Sequence, residues 1–99
     1  MNSFKIKSEA AIDIRSYSKF ITERDGQARA DDFVDHLYDR FEVLAAYPTV
    51  GRDASRYGIG LRVWADRRYK VFIYYTLDES EITIERVISM RQQQDKAFL

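Results

Sequence analysis

The sequence predicts an α+β fold in the element order β-α-α-β-β-β, with an antiparallel sheet and a helical hairpin packed on one of its faces. Two observations support this prediction. Between residues 8 and 46, apolar residues recur at the period of an amphipathic helix, and Asp25-Gly26 interrupts them. Between residues 61 and 88, three short apolar segments are separated by polar turns, which is typical of consecutive antiparallel strands.

The length and composition limit the class of protein. The 99 residues are enough for one modest core, so we expect a single domain over 1–99. The chain has no cysteine, which excludes disulfides and cysteine-based metal sites or nucleophiles. No apolar run approaches the roughly 18 residues of a membrane span, and the first residues lack the apolar core of a signal peptide. We therefore expect a cytoplasmic protein that does not associate with membranes.

Two helices are predicted between residues 8 and 46. Ser8 is expected to cap the first, whose apolar face is formed by Ala10, Ala11, Ile14, Tyr17 and Ile21. The second has a longer apolar face, formed by Ala30, Phe33, Val34, Leu37, Phe41 and Leu44. Tyr47-Pro48 is expected to end it, because the residue before a proline disfavours helical torsions. A short glycine-containing turn between the helices predicts an antiparallel hairpin.

Four strands are predicted. Residues 4–7 alternate apolar and basic side chains, so we expect a short strand there, beside either the last or the central strand. The other three are predicted at about 61–65, 69–77 and 81–88, with turns at 66–68 and 78–80. The middle strand is apolar or aromatic at nearly every position, which indicates burial on both faces. We expect the sheet face opposite the helices to be more open.

The sequence leaves the position of Arg86 and the state of the tail undecided, and it predicts an irregular segment between the helices and the last three strands. Alternate residues of a strand share a face, which would place Arg86 on the same face as Ile82, Ile84 and Ile88. Either Arg86 therefore lies at the rim of the core, or a bulge shifts the register of the last strand. Residues 48–60 are predicted to form a loop, since they contain Pro48 and three of the four glycines. The polar tail at 91–99 is expected to fray or to form a short helical turn.

The net charge is zero, but the charges are unevenly distributed. Residues 1–46 carry seven Lys/Arg and nine Asp/Glu, and residues 47–99 carry nine and seven. Such a chain lacks a whole-molecule field that attracts nucleic acid. A local basic patch is nevertheless predicted, because consecutive strands and their loops carry Arg52, Arg56, Arg62, Arg67, Arg68, Lys70, Arg86 and Arg91. We expect this patch to bind an anionic or acidic partner; the alternative is a solvated charged face.

Other candidate sites have ordinary structural explanations. His36 is the only histidine and is expected to be a surface or boundary residue, because a general base needs a nucleophile beside it. The acidic residues of the second helix have the spacing of a solvated face rather than of a metal site; they are Asp31, Asp32, Asp35 and Asp39. Core packing explains most of the strand aromatics, although base stacking is conceivable. We expect no metal and no cofactor.

Four segments together resemble the RelE/ParE superfamily of toxin–antitoxin toxins. They are Pro48-Thr-Val-Gly51-Arg52, Gly60-Leu61-Arg62, Tyr69-Lys-Val-Phe-Ile-Tyr-Tyr75 and Ile82-Thr-Ile-Glu-Arg86-Val-Ile88. Each motif is weak alone, but their order and spacing extend the resemblance over essentially the whole chain. The resemblance implies a microbial-RNase-like sheet with a helical hairpin on one face, and a ParD-like antitoxin partner whose disordered peptide folds on binding.

The superfamily has two activities. RelE-like members are ribosome-dependent mRNA endonucleases, and ParE-like members poison DNA gyrase with the same scaffold but without the acid–base residues. This chain has no Tyr or His after Tyr75, so the C-terminal acid–base group of the endonucleases is missing. Pro48, Gly51-Arg52, Leu61-Arg62 and Arg86-Val87 suit the ParE-like pattern. Ser89, however, stands where ParE-like members often carry histidine.

The resemblance therefore implies a ParE-like toxin that arrests growth by binding DNA gyrase, as in plasmid-stabilising systems, without catalysis or sequence-specific nucleic-acid binding of its own. Its target- or antitoxin-binding residues are expected to be Arg62, Arg67, Arg68, Arg86 and Arg91. The first alternative is a ribosome-dependent mRNA endonuclease, with a catalytic set of Arg52, Arg62, Lys70, Arg91, Tyr69 and Tyr75. The second alternative is an inactive relative that only binds the antitoxin.

Overall fold

The computed structural model describes residues 3–92 and 94–98, which form two long helices and a five-stranded sheet. The helices are α1 (Ser8–Asp25) and α2 (Gln27–Ala46). The strands are β1 (Ser3–Ile6), β2 (Arg52–Asp53), β3 (Arg62–Asp66), β4 (Val71–Leu77) and β5 (Glu81–Ser89). A 3-10 turn at Ser55–Tyr57 and a short helix α3 (Gln94–Ala97) complete the described elements. The predicted α+β fold class is confirmed.

The strands lie in the order β1-β5-β4-β3-β2. β3, β4 and β5 are antiparallel neighbours, as expected, whereas the two-residue strand β2 was not predicted and pairs antiparallel with β3. β1 lies beside the last strand, which was one of its two predicted places. β1 runs parallel to β5, however, so the sheet is mixed rather than wholly antiparallel. β1 and β5 run in the same direction because the chain reverses its direction an even number of times between them, with the turn of the helical hairpin counted as one reversal.

The helices pack their apolar faces against one face of this sheet. The core between them includes the fully buried side chains of Phe33, Leu37, Phe41, Ile73 and Tyr75. The helices are joined at Gly26, whose φ of 97° is favourable only for glycine. The prediction of Ser8 as a cap is wrong: Ser8 is already helical, and Lys7 occupies the N-cap position without a side-chain cap bond. Over the described residues, no helix is both long and apolar enough to span a bilayer.

A bulge in β5 resolves the question of Arg86. Tyr74 pairs with Arg86 and Tyr75 pairs with Ile84, which leaves Glu85 as an extra residue. The bulge exchanges the two faces of the strand, so Val87 joins the helix-side core while Ile88 packs on the opposite face. The bulge alternative is thus confirmed, and the prediction that Ile88 shares a face with Ile82 and Ile84 is wrong.

The sheet face opposite the helices is covered rather than open. The 3-10 turn and the C-terminal segment pack on it, with the Phe98 ring 5.0 Å from the Tyr57 ring and 4.8 Å from the Tyr74 ring. The Tyr74 hydroxyl donates a 2.6 Å hydrogen bond to Gln94 Oε1. Residues 48–60 are therefore only partly a loop, and the tail forms the helical turn that was one of its two expected states; residues 93 and 99 lie outside the described residues.

This covered face predicts a stability change at alkaline pH. Burial raises the pKa of Tyr74 from its ordinary value of 10.0 to about 12. The folded state therefore holds this proton more tightly than the unfolded chain, and the corresponding stability, full below pH 10, is lost as the pH rises towards 12. An ultraviolet titration should show that Tyr74→Phe removes a late-ionising phenol. If the variant instead removes a phenol that ionises at the ordinary pH, Tyr74 is not buried as described.

Candidate target-binding groove

A groove of about 460 Å³ opens where the end of α1, the start of α2, the β3–β4 turn and the end of β5 meet. Five cationic side chains and one carboxylate, that of Asp25, line it. The cationic side chains are those of Arg24, Arg29, Arg68, Lys70 and Arg91. We call this surface the basic groove. Since like charges at one surface repel unless an anion joins them, the arrangement is suited to binding an anionic partner.

The β3–β4 turn is built by Asp66 and Lys70. The carboxylate of Asp66 is buried and accepts the backbone N–H of Tyr69 at 2.9 Å. Lys70 adopts a left-handed backbone conformation, with φ of 56°. The turn therefore extends through Lys70, and β4 begins at Val71 rather than at the predicted residue 69. This places Arg68 and Lys70 at the end of the sheet, beside the helical hairpin.

Tyr69 holds two of the groove's guanidinium groups. Its ring lies 4.7 Å from the guanidinium carbon of Arg29 and 5.7 Å from that of Arg68. Its hydroxyl donates to Asp32, which also accepts a 2.6 Å bond from Arg68. The hydroxyl lowers the pKa of Asp32, while burial and the Asp32 carboxylate raise the pKa of Tyr69. Tyr69 therefore remains neutral, and it positions the guanidinium groups of Arg29 and Arg68 at the side of the basic groove.

His36 supports the same turn from α2. Its Nε2 atom lies 2.6 Å from Asp66 Oδ1, and its side chain is largely buried at the boundary between helix and sheet. This confirms the expected boundary role. The acidic residues Asp31, Asp35 and Asp39 are exposed, as a solvated face should be, whereas Asp32 is half-buried against the turn. Among residues 3–92 and 94–98, no three acidic or histidine side chains form a cluster that could hold a metal.

Arg62 and Tyr75 lie away from the basic groove and hold the loop after α2. Arg62 donates to the carbonyl oxygens of Thr49 at 2.9 Å and Gly51 at 2.6 Å. The Tyr75 hydroxyl donates to the Pro48 carbonyl at 2.7 Å and accepts the Gly51 N–H at 2.9 Å. The two residues are paired across β3 and β4, so together they fix the loop against the sheet.

Arg86 is also committed to an internal contact. Its Nε and Nη2 atoms donate to the two carboxylate oxygens of Asp13 at 2.7 and 3.0 Å, and its Nη1 atom donates to the Ala97 carbonyl at 2.8 Å. The Asp13 carboxylate raises the pKa of Arg86. Asp13 also accepts the Val87 N–H at 2.9 Å, next to the bulge. Arg86 therefore ties α1 and the C-terminal segment to β5.

The predicted basic residues thus do not converge on one surface. Arg68, Lys70 and Arg91 meet in the basic groove, and Arg67 is exposed in the same turn without lining it. Arg52 lies at the opposite edge of the sheet, near Arg56. Sequence reasoning missed Arg24 and Arg29, which belong to the helices. Their position on either side of the Asp25-Gly26 break was the available signal, because a hairpin turn brings both to one end of the fold.

The strained position of Lys70 predicts opposite effects on stability and function. Lys70→Gly should raise the free energy of unfolding by about 0.5 to 1 kcal/mol, because glycine adopts a positive φ without steric cost. It should also weaken any function of the basic groove by removing one of its charges. The control Lys70→Ala loses the same charge but keeps the strain. Urea denaturation should therefore show stabilisation for glycine alone; equal stability of the two variants would contradict the prediction.

Comparison with known proteins agrees with this architecture. A solved structure described as the chromosomal ParDE TA system from P. aeruginosa has the same fold, with a TM-score of 0.78 over 90% of this chain and 96% of that one, at 22% sequence identity. No curated protein sequence matches the chain. The family model described as ParE toxin of type II toxin-antitoxin system, parDE, matches residues 4–94. This match covers nearly the whole chain, which belongs to the ParE toxin family of type II toxin–antitoxin systems.

Proposed function

We propose that this single-domain toxin acts in the cytoplasm by binding DNA gyrase, without bond chemistry of its own, and that a cognate antitoxin neutralises it. Membership in the ParE family supports the role of toxin. The basic groove supports the choice of target, because an enzyme–DNA complex presents the anionic surface that five clustered cationic side chains would bind.

One observation favours binding over RNA cleavage: both candidate proton donors are engaged inside the fold. Tyr75 is fully buried, and its hydroxyl already makes hydrogen bonds to Pro48 and Gly51. The hydroxyl of Tyr69 is bonded to Asp32, and the pKa of Tyr69 is raised. A general acid must reach the substrate atom that it protonates. Tyr75 does not meet this requirement, and the Tyr69 hydroxyl would first have to leave Asp32, which supports a mechanism without catalysis.

We propose the basic groove as the target-facing surface in place of the five arginines expected from the sequence. Arg68 and Arg91 remain in the proposed set, which gains Arg24, Arg29 and Lys70. Arg67 is exposed in the same turn but does not line the groove. Arg62 and Arg86 are assigned structural roles instead, since their guanidinium groups are bonded to backbone carbonyls and to Asp13. Replacing either of these two should therefore affect stability before it affects target binding.

A purified gyrase assay tests the proposal, with supercoiling and trapped DNA cleavage read on the same gel. The wild-type toxin should abolish supercoiling or accumulate cleaved DNA, and its antitoxin should reverse the effect. The double variant Arg24→Glu/Arg91→Glu should lose the inhibition, because it reverses two of the five charges in the basic groove. Lys19→Glu/Lys96→Glu is a matched control, since it makes the same charge change at exposed positions that line neither the basic groove nor the apolar groove described below.

Two results would contradict the proposal. If folded toxin in stoichiometric excess leaves gyrase unaffected, while codon-positioned mRNA cuts appear on translating ribosomes, the chain is an endonuclease. If both double variants inhibit gyrase as well as the wild type does, the target binds elsewhere. Circular dichroism of each variant verifies that the loss is not caused by unfolding.

The helical hairpin offers a separate surface for the antitoxin. A shallow apolar groove lies between β1, α1 and α2, and its lining includes Ile6, Ile14, Val34 and Tyr38. Tyr38 is about half exposed, which suits the apolar face of a peptide that folds on binding. Tyr38→Glu should abolish complex formation with the antitoxin in size-exclusion chromatography, because it places a charge at an exposed position of this groove. If a folded Tyr38→Glu protein still forms the complex, the antitoxin binds a different surface.

A further inference from the structure

The basic groove has an aromatic wall that its charges alone do not explain. Phe20 is 42% exposed although it is a large apolar residue. Its ring is stacked on that of Tyr17, with centroids 5.7 Å apart and planes 25° apart, and the guanidinium carbon of Arg24 lies 5.0 Å from it. The Phe20 ring thus lies between the Tyr17 ring and the Arg24 guanidinium and is partly accessible to solvent.

Several of the groove's charges have no internal partner. Arg24 is paired with its sequence neighbour Asp25, and Arg68 is paired with Asp32. Within residues 3–92 and 94–98, Arg29, Lys70 and Arg91 form no ion pair. Arg29 is nonetheless positioned by the ring of Tyr69, whose backbone carbonyl accepts a 3.2 Å bond from the Tyr17 hydroxyl. The aromatic wall and the cations therefore belong to one connected framework.

These features together select a class of ligand. An acidic peptide would pair with the cations, but it brings a flat ring to Phe20 only where an aromatic residue lies beside its carboxylates. A DNA duplex would bring phosphates, but its bases are stacked inside and cannot reach the wall. A single strand offers both groups, since its phosphates pair with basic side chains and its unstacked bases lie on aromatic rings. The groove volume of about 460 Å³ is that of a small-ligand site, so only a short part of a strand can lie within it.

We propose that the basic groove binds a short segment of single-stranded DNA, with Arg29 and Arg91 at the phosphates and one base stacked on the face of Phe20 that the Arg24 guanidinium covers in the unbound protein, so that Arg24 turns from the ring to a third phosphate. Recognition through phosphates and a stacked ring is independent of base sequence. The inference rests on the proposed function, because it identifies the DNA of the gyrase–DNA complex, rather than gyrase itself, as the ligand of this surface. The inference does not concern the antitoxin, for which we propose the separate apolar groove on the helical hairpin.

Fluorescence anisotropy with a labelled single-stranded oligothymidine of about ten nucleotides tests the inference without gyrase. If three phosphates are neutralised, the logarithm of the binding constant should fall with the logarithm of the salt concentration with a slope of about −2. Arg91→Ala should make that slope shallower by about 0.7, because it removes one phosphate contact. Phe20→Ala should weaken binding about tenfold at constant slope, whereas Phe20→Tyr should preserve it. The control Lys19→Ala should change neither quantity.

Competition identifies the ligand. Unlabelled single-stranded DNA should displace the probe, and an equal concentration of duplex DNA, single-stranded RNA or polyglutamate should displace it less. Stronger displacement by any of these three, or unchanged binding by a folded Phe20→Ala protein, would overturn the inference. The inference and the proposed function can fail separately. If the toxin inhibits gyrase but does not bind the oligonucleotide, only the assignment of DNA as the ligand is overturned. If it binds the oligonucleotide but does not inhibit gyrase, only the assignment of gyrase as the target is overturned.

Discussion

Replacing Asp13 with alanine should lower the free energy of unfolding by about 3 kcal/mol, at the lower end of the cost of removing one partner of a buried ion pair. Asp13 and Arg86 have side chains only 15% and 24% exposed, and the substitution leaves the guanidinium of Arg86 with the Ala97 carbonyl as its remaining partner. It also removes the acceptor of the Val87 N–H. Thermal melting followed by circular dichroism should show a midpoint lower by about 15 °C.

Two further variants separate the ion pair from general disruption of α1. Arg86→Met should also destabilise the protein, because it leaves the buried Asp13 carboxylate with the Val87 N–H as its remaining partner. In the double variant Asp13→Ala/Arg86→Met, the two costs should not add, since both substitutions remove the same interaction. If the costs add, or if Asp13→Ala changes stability by less than about 1 kcal/mol, the pair does not hold α1 to β5 as the structure indicates.

Replacing Gly51 with alanine should destabilise the protein by about 2 to 3 kcal/mol through steric overlap. A methyl group at this position would overlap the Tyr75 hydroxyl and lie 2.8 Å from its Cε1 atom. The ring cannot move aside easily, because Tyr75 is fully buried and its hydroxyl is bonded to both Pro48 and Gly51. Urea denaturation should therefore show a lower midpoint with an unchanged slope.

The same contact predicts partial rescue by a second substitution. Tyr75→Phe alone should cost about 1 to 2 kcal/mol, because it leaves the Gly51 N–H without its acceptor. Combined with Gly51→Ala, it removes the hydroxyl that makes the closest overlap, so the double variant should be more stable than the sum of the single costs implies. Gly58→Ala is a control, because the nearest atom to its new methyl group lies at an ordinary 3.9 Å. Simple additivity of the Gly51 and Tyr75 costs would contradict the steric explanation.

Local sequence patterns predicted the elements but not the contacts between distant segments. The helical period of 8–46 and the apolar run of β4 each reflect burial within one element, and both were predicted with nearly correct bounds. The bulge could be stated only as an alternative, because Arg86 has the parity of a core position. Its partner Asp13 is 73 residues away, and no local pattern pairs them.

The basic groove was only partly predictable for the same reason. Arg68, Lys70 and Arg91 were selected because basic residues are frequent in the strand region. Arg24 and Arg29 were missed because they lie in helices whose charge is mostly acidic. Conversely, Arg62 was expected at the target-binding surface, but its guanidinium instead supports a loop backbone. A side chain's type and spacing indicate what it can bind, whereas its actual partner depends on packing between distant segments.

The pairing of β1 with β5 also limits when this protein can fold. Ser3 lies opposite Glu81, so the sheet closes a loop of most of the chain, and β5 occupies a position between β1 and β4. Such non-local pairing forms late, because the chain must lose the entropy of that loop first. During synthesis, the apolar face of the helical hairpin therefore lacks part of its cover until residues 81–89 have left the ribosome. A nascent chain that ends before residue 81 consequently exposes apolar surface that the folded protein buries against β5.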